Sequence, residues 1–185
     1  MRFPYYAKLK ARQQAVYRQS DAVGELLLPG AAGLRPLVAD LEHALAVGER
    51  MAVERAAKAL GSAMLVKLAT PPVRIKVLAA RPSDDWGELH GLYEPAQGRT
   101  LARITLWMRT AHHKKVVAFR TFLRTLLHEL GHHLDYELLR LADSFHTAGF
   151  FKRESSLFKQ LVGEVERVTP ASRRLAGAAD SQDRR

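Results

Sequence analysis

The chain has 185 residues, which fits one domain or one domain with a helical extension. It contains no cysteine, so disulfides and cysteine-based zinc sites are excluded, and 47% of its residues are apolar, enough for a sizeable core. The formal net charge of +10 at pH 7 is typical of proteins that bind nucleic acid or other acidic partners. No stretch approaches the ~20 apolar residues of a membrane span, and residues 1–6 lack the apolar run of a secretory signal. We therefore expect a soluble cytoplasmic protein that does not enter a membrane.

The N-terminal part of the chain has the apolar spacing of helices. Its predicted elements are a short amphipathic helix over residues 5–20, a turn-rich segment over residues 21–34, a helix from Pro36 to Gly61 and a further helical segment from Ser62 to Ala69. The prolines at 71 and 72 end this run, because the residue before a proline disfavours the helical conformation. We therefore predict a helical extension over residues 1–70.

The middle of the chain alternates apolar and polar residues with the period of β-strands. The predicted strands cover residues 73–77, 89–94 and 101–108, separated by turn-forming stretches at residues 81–85 and 95–98. Helical patterns follow, so the predicted fold class is α+β, with a small three-stranded sheet and helices packed on one of its faces. We place this domain at residues 71–169 and expect a disordered tail over residues 170–185, which are small, polar and charged.

The helix predicted over residues 116–141 carries the candidate chemistry. Its apolar residues form one stripe at helical spacing, which comprises Val116, Phe119, Leu123, Leu127, Leu130, Leu134, Leu138 and Leu141. His128 and His132 lie on the other side, in an H-E-x-x-H motif. Residues four apart on a helix lie one above the other, so the two imidazoles can bind one metal ion at about 2.0–2.1 Å. The motif therefore predicts a Zn²⁺ site.

Other residues of the same helix are candidates for roles beside the metal. Glu129 lies about 100° around the helix from the first histidine and is placed to act as general base on an attacking water. Asp135, one turn beyond His132, is either a hydrogen-bond acceptor that orients a metal-bound imidazole or a solvated helix residue. Tyr136 is a candidate donor to a developing oxyanion. Gly131 costs about 1 kcal/mol relative to alanine inside a helix, and a small residue there lets another segment approach the metal face.

A catalytic zinc site needs a third protein ligand and keeps one position open. The metzincin form of the motif requires glycine at 135 and histidine at 138, where this chain has Asp135 and Leu138, so that class is excluded. Two kinds of third ligand remain. One is a glutamate on the helix predicted over residues 149–168, and the candidates are Glu154, Glu164 and Glu166. The other is His146, in the connection between the two helices.

The segment from His146 to Phe151 resembles the H-x-x-x-F-[WYF] sequence that follows H-E-x-x-H in SprT-like and related minimal zincin metallopeptidases. The order of elements is also similar over about residues 73–168, with short strands, a metal helix, a connection and a last helix. The family's usual glycine after the third histidine is Thr147 here. The resemblance implies a zinc metallopeptidase that cleaves peptide bonds of a protein or peptide substrate, with His146 as third metal ligand. Glu154, as in a glutamate-ligand zincin, stays the alternative.

Basic residues are concentrated between the strands and the metal helix. No Asp or Glu occurs from Pro95 to Leu127, and the basic run of this region comprises Arg99, Arg103, Arg109, Lys114, Lys115, Arg120 and Arg124. Such clustering predicts nucleic-acid or acidic-partner binding, or a solvated surface that keeps the protein soluble. The alternative function is a nucleic-acid-associated protein whose zinc site is structural or acts on DNA- or RNA-bound proteins, as the resemblance allows. The strand around His90–Tyr93 is a candidate edge for pairing with an extended peptide.

Overall fold

The computed structural model describes residues 3–80, 83–84, 87–88 and 90–163. Within them the chain forms five α-helices and five strands, with two short 3-10 helices at Pro4–Lys8 and Ala31–Leu34. In chain order the elements are α1 (Ala11–Ala22), α2 (Arg35–Val47), α3 (Arg50–Lys67), β1 (Arg74–Ala80), β2 (Ser83–Asp84), β3 (Gly87–Glu88), β4 (Gly91–Glu94), β5 (Arg103–Arg109), α4 (Phe119–Glu137) and α5 (Ala148–Val162). The fold is α+β, as predicted. None of these helices is both long and apolar enough to cross a membrane.

The helices before β1 begin and end at other residues than predicted. The segment predicted as one helix over residues 5–20 is the 3-10 helix Pro4–Lys8 followed by α1. The helix predicted to end at Gly61 is divided at Gly48, whose φ of 76° ends α2, and Glu49 then begins α3 by accepting hydrogen bonds from two amides of its first turn. Gly61 lies inside α3 and does not end a helix. Its lack of a side chain allows α3 to pack closely on β1.

The three longer strands form one sheet in the order β1-β5-β4. β1 and β5 are parallel, with Ile75 opposite Ile104 and Val77 opposite Leu106, whereas β4 pairs antiparallel with β5. These four apolar side chains share one face of the sheet, because alternate residues of a strand point the same way, and all four are buried. That face packs against α3 and α4.

The predicted strands are present with shifted ends. β1 is longer than the predicted strand at residues 73–77, and β5 begins two residues later than predicted and ends at Arg109. β4 covers the second part of the strand predicted at residues 89–94, and Leu89 lies outside the described residues. β2 occupies part of the stretch predicted as a turn, where it pairs antiparallel with β3.

One hydrophobic core contains residues from both sides of the predicted boundary at residue 70. Leu41 of α2 and Leu60 of α3 belong to the same buried cluster as Ile104 of β5, Leu127 of α4 and Leu157 of α5. All five side chains are at most 1% exposed, so this part of the core excludes water. α2 and α3 therefore belong to the same hydrophobic core as the sheet, α4 and α5.

The helix that carries the H-E-x-x-H motif is shorter than predicted. Before α4, Val116 forms a bridge with Arg109, which keeps the chain extended until Phe119. After Glu137 the chain leaves the helix, and Arg140 has a φ of 54°. Four leucines of the predicted stripe are fully buried, and the stripe also includes two residues that the prediction left out. The observed buried apolar residues of α4 are Phe122, Leu123, Leu126, Leu127, Leu130 and Leu134.

The last helix is also shorter than predicted. α5 begins at Ala148 and ends at Val162, where Gly163 has a φ of 75°. The remainder of the helix predicted over residues 149–168 and the tail predicted at residues 170–185 lie outside the described residues. The described part of α5 packs against α4 and α1. This packing brings the connection between α4 and α5 next to His128 and His132.

Candidate metal centre

Three histidine side chains converge beside α4. His128 and His132 lie one turn apart on α4, and His146 belongs to the connection between α4 and α5. The Nε2 atom of His146 lies 2.9 Å from Nε2 of His128 and 3.1 Å from Nε2 of His132. Among the residues that the structure describes, these three form the group of potential ligands close enough to share a metal ion.

The donor set fits a zinc ion. Nitrogens bound at about 2.0–2.1 Å in tetrahedral geometry lie about 3.3–3.4 Å apart, close to the two separations measured from His146. The other ring nitrogens are engaged elsewhere, since Nδ1 of His128 lies 3.2 Å from Glu154 Oε2 and Nδ1 of His132 lies 2.7 Å from Ser144 Oγ. Hydrogen bonds at Nδ1 leave Nε2 as the metal ligand. Nitrogens this close require either a shared cation or a ring proton between them, because facing lone pairs repel.

Burial keeps two of the imidazoles in the neutral form that binds metals. Desolvation, assisted by the charges of His128 and His146, lowers the pKa of His132 to about 3. Desolvation also lowers the pKa of His146, and the charge of His128 adds to this effect. At neutral pH these two imidazoles are therefore uncharged, so each keeps one ring nitrogen with a free lone pair that could bind a metal ion.

Phe150 packs against all three imidazoles. Its ring centroid lies 5.0 Å from that of His128, 4.8 Å from that of His132 and 5.4 Å from that of His146. The ring passes over Gly131 of α4, where a Cβ atom would lie 3.0 Å from Phe150 Cζ. The segment predicted to approach the helix at Gly131 is therefore the first turn of α5.

Neighbouring segments hold His146 in place. The Tyr5 hydroxyl, in the N-terminal 3-10 helix, donates a hydrogen bond of 2.7 Å to the His146 carbonyl. The Phe151 ring stacks on the imidazole, with centroids 5.8 Å apart and 24° between the planes. Thr147 is the N-cap of α5, and its hydroxyl accepts a hydrogen bond of 2.9 Å from the amide of Phe150. The threonine at this position thus begins a helix directly after the candidate ligand.

Glu129 is buried beside the histidines, with 6% of its surface exposed. It fits because the neighbouring residue of β4 is Gly91, and a Cβ atom there would overlap the Glu129 carboxylate. Burial raises the pKa of Glu129 to about 7, against the opposing effects of the His128 charge and of a hydrogen bond from the Tyr93 amide. A carboxylate whose pKa lies near neutrality can both accept and return a proton.

Asp135 is fully buried, so the alternative of a solvated helix residue is wrong. It forms an ion pair of 2.6 Å with Arg153 and accepts a hydrogen bond of 2.8 Å from the Ser144 hydroxyl. Burial raises its pKa, whereas Arg153 and Ser144 lower it. Asp135 therefore reaches the imidazole of His132 through Ser144 and does not contact it directly.

Tyr93, Tyr136 and His133 lie next to the site. The Tyr136 hydroxyl is directed to Asp143 at 3.5 Å, and the Tyr136 side chain lines the cleft described below. His133 points into the protein, with Nε2 2.9 Å from the Pro71 carbonyl and Nδ1 3.2 Å from the Tyr93 hydroxyl. The three histidines of α4 thus divide into two that face the site and one that joins α4 to the sheet.

Glu154, the alternative third ligand, lies on the far side of the His128 ring. Its Oε2 contacts Nδ1 of His128, and its Oε1 lies 3.3 Å from Arg124. It does not belong to the group of three converging ligand atoms. Glu164 and Glu166, the other acidic candidates, lie outside the described residues. The placement favours Glu154 as a carboxylate that orients His128.

The histidines and Glu129 open onto a cleft of 690 Å³. Its lining includes β4, the stretch of α4 from Thr121 to Thr125, and Tyr136. Among the described strands β4 pairs with β5 alone, so its second edge has no strand partner. The strand predicted as an edge for an extended peptide therefore borders the cleft.

The basic run does not form one free surface. Arg103 pairs with Glu94 through two hydrogen bonds of 2.7 Å, and Arg109 donates to backbone carbonyls. Arg120 and Arg124 lie over the Phe158 ring, at 4.8 and 4.2 Å from its centroid. All members of the run except the half-buried Arg109 are exposed, including Arg99, Lys114 and Lys115. Lys114 and Lys115, here termed the lysine pair, lie in the connection from β5 to α4.

Sequence reasoning missed two residues of this centre, Ser144 and Arg153. Ser144 lies in an irregular connection, where no periodic pattern marks a functional residue. Arg153 had a usable signal, because it shares the helical spacing of Phe150, Leu157 and Leu161, all of which are buried. A single arginine on such a face requires a buried anionic partner.

Comparison of the chain with protein-family models, with curated proteins and with solved structures gave no significant match. The interpretation of the site therefore rests on its own geometry. That geometry comprises three converging imidazoles, a buried carboxylate next to them and a cleft bordered by a strand edge.

Proposed function

We propose that the protein is a zinc-dependent metallopeptidase, with His128, His132 and His146 as ligands of Zn²⁺ and Glu129 as general base. The observation that carries the proposal is the convergence of three imidazoles beside a buried glutamate: Nε2 of His146 lies 2.9 and 3.1 Å from Nε2 of His128 and His132, and one ligand atom of each histidine lies within 4.8 Å of the others. The likeness to SprT-like minimal zincins at H-E-x-x-H and at His146–Phe151 supports the same assignment.

The chemistry follows from the placement of Glu129. A bound Zn²⁺ would supply Lewis acidity, which polarises a scissile carbonyl and makes water a better nucleophile near neutral pH. Glu129 accepts a proton from the attacking water and donates it to the leaving amine. Burial raises the pKa of this carboxylate to about 7 in the metal-free chain. A bound cation would lower that pKa, so with zinc present the carboxylate would be ionised and ready to accept the proton of the attacking water. Tyr136, in the lining of the cleft, is the candidate donor to the developing oxyanion.

The edge of β4 favours an extended polypeptide as substrate. Its backbone groups can pair with a peptide strand, as in other cases where a peptide adds to a sheet edge. Gly91 brings this strand close to Glu129, and the Tyr93 amide bonds to the same carboxylate. A peptide paired with β4 would therefore lie directly beside the general base.

A structural zinc site is the competing assignment for the histidines. Closed structural sites have four protein ligands, whereas the group in the described part of the chain has three. Three ligands leave one position for water or substrate, which favours the catalytic assignment.

Nucleic-acid association is a second candidate function, and it is favoured by the net charge of +10 and the exposure of the lysine pair. In that case the peptidase would act on DNA- or RNA-bound proteins, as some SprT-like enzymes act on protein crosslinked to DNA. The pairing of Arg103 and the carbonyl contacts of Arg109 reduce the number of charges available for phosphates.

The decisive experiment combines metal content with cleavage. Protein purified without an affinity-metal column should contain about one zinc per chain, and should cleave an unfolded protein such as casein. Glu129→Gln should keep the zinc and lose on the order of 10²–10⁴-fold in rate, the range for general acid–base groups. Glu42→Gln, an exposed glutamate on α2, is the matched control and should keep both. A chain that folds but takes up no zinc would refute the proposal, as would equal cleavage by the Glu129→Gln variant at matched zinc occupancy.

A further inference from the structure

A chain of buried polar side chains runs from His132 to the far side of α5. Nδ1 of His132 lies 2.7 Å from the Ser144 hydroxyl, and that hydroxyl lies 2.8 Å from Asp135 Oδ2. The other carboxylate oxygen of Asp135 is 2.6 Å from the Arg153 guanidinium. Asp135 and Arg153 are 0% and 3% exposed, so the interaction takes place away from solvent.

Arg153 continues the chain to α1. Its second guanidinium nitrogen donates to the backbone carbonyls of Ser20 and Val23, at 2.6 and 2.5 Å. These carbonyls are at the C-terminal end of α1, where helix carbonyls lack intrahelical partners and carry partial negative charge. Arg153 thus joins the end of α1 to the buried carboxylate of Asp135.

The number of available protons fixes the direction of these hydrogen bonds. Asp135 is paired with a guanidinium, which is always charged, so its carboxylate can only accept. The Ser144 hydroxyl has one hydrogen and gives it to Asp135, so toward His132 it can only accept. Nδ1 of His132 must then carry the ring proton, and Nε2 must carry the lone pair that faces the other two histidines.

From this geometry we propose that Ser144, Asp135 and Arg153 are positioning residues that fix the tautomer and the orientation of His132 for metal binding. The proposal rests on the assignment of His132 as a zinc ligand. It also makes the C-terminal end of α1 part of the metal centre, because the guanidinium that balances Asp135 is held by the carbonyls of that helix.

The first measurement uses the metal-free protein. Imidazole ¹⁵N spectra report which ring nitrogen carries the proton. In the wild type, His132 should be found as the Nδ1–H tautomer. In Ser144→Ala the Nε2–H tautomer should become populated, because the acceptor at Nδ1 is gone. Ser156→Ala, which removes a serine hydroxyl that contacts Glu25 on the surface of α5, should leave the His132 tautomer unchanged.

The second measurement is zinc affinity by competition with a chelator. Ser144→Ala should bind zinc about 10–100-fold more weakly than wild type, the usual effect of removing a partner of a metal-bound histidine. Ser156→Ala should bind as wild type does. Ser144→Thr keeps the hydroxyl and should restore most of the affinity that alanine loses. A merely structural serine would change the melting temperature of the metal-free protein without changing the tautomer.

The outcomes separate this inference from the assignment of the metal site. If wild type binds zinc and Ser144→Ala keeps both the Nδ1–H tautomer and full affinity, the positioning role is refuted and the metal site stands. Equal loss of affinity in the alanine and threonine variants, with an unchanged tautomer, would likewise overturn it in favour of packing. If wild type takes up no zinc, the metal site is refuted, and the tautomer of His132 in the metal-free variants still decides what Ser144 does.

Discussion

Replacing Glu129 by glutamine should stabilise the metal-free protein, although the same change removes the proposed general base. Burial raises the pKa of this carboxyl from 4.5 to about 7 in the folded chain. The folded state therefore holds the proton more tightly than the unfolded state does. Stability that the protonated carboxyl contributes is fully present below pH 4.5 and is lost as pH rises through about 7. Glutamine is neutral at every pH and avoids this loss.

The size of the effect follows from the pKa difference. A difference of about 2.5 units corresponds to about 3 kcal/mol in the free energy of unfolding, since one unit is worth about 1.4 kcal/mol. In the metal-free protein Glu129→Gln should therefore be more stable than wild type by about 3 kcal/mol at pH 8, about 2 kcal/mol at pH 6 and less than about 1 kcal/mol at pH 5. Bound zinc should reduce the difference, because a cation near the carboxylate favours its charged form.

Urea unfolding in the presence of a chelator measures these free energies. The comparison requires wild type, Glu129→Gln and the exposed control Glu42→Gln at pH 5, 6 and 8. The control should stay within about 0.5 kcal/mol of wild type at each pH. A difference between Glu129→Gln and wild type that is the same at pH 5 and pH 8, or a variant less stable at pH 8, would contradict the argument that burial of the charge is the cause.

Three further predictions follow from the site and its surroundings. His146→Ala should lose more zinc affinity than Glu154→Ala, because the first change removes a proposed ligand and the second an orienting carboxylate. Competition with a chelator measures both affinities, and the reverse order would make Glu154 the ligand. Arg153→Met should lower the free energy of unfolding by about 3–5 kcal/mol, because it leaves Asp135 buried without a counter-charge. A loss below about 1 kcal/mol in urea unfolding would show that the ion pair does not contribute to stability. Binding to single- or double-stranded DNA should weaken steeply with added salt, and also when Lys114 and Lys115 are both replaced by glutamate. If no binding is detected at low salt, the basic run is a solubility feature.

The parts of the fold that depend on local periodicity could be predicted from the sequence. The H-E-x-x-H helix, its buried leucines and the strands around it were identified because apolar spacing is a property of neighbouring residues. The break at Gly48 was missed because the apolar spacing continues from α2 into α3. The positive φ of Gly48 ends α2, and this backbone conformation cannot be read from the sequence.

The site was predictable to the extent that its residues lie on one helix or carry a motif. His128, Glu129 and His132 are fixed by their spacing on α4. Placement of His146 against them depends on the packing of α5, which brings together residues far apart in the chain. Ser144 has no pattern at all, because its role arises from contact with Asp135 and an imidazole.

The contact between Tyr5 and the carbonyl of His146 has a consequence for the synthesis of the protein. The two residues are 141 positions apart, and Arg153 meets Ser20 across 133 positions. The ribosome therefore synthesises Tyr5 and Ser20 long before His146 and Arg153, the residues that they contact. A nascent chain that ends before His146 has both histidines of the motif but neither the third imidazole nor the arginine that pairs with Asp135. The three-histidine group can therefore assemble only after His146 and the following helix have been synthesised, and a shorter nascent chain would lack the complete candidate metal site.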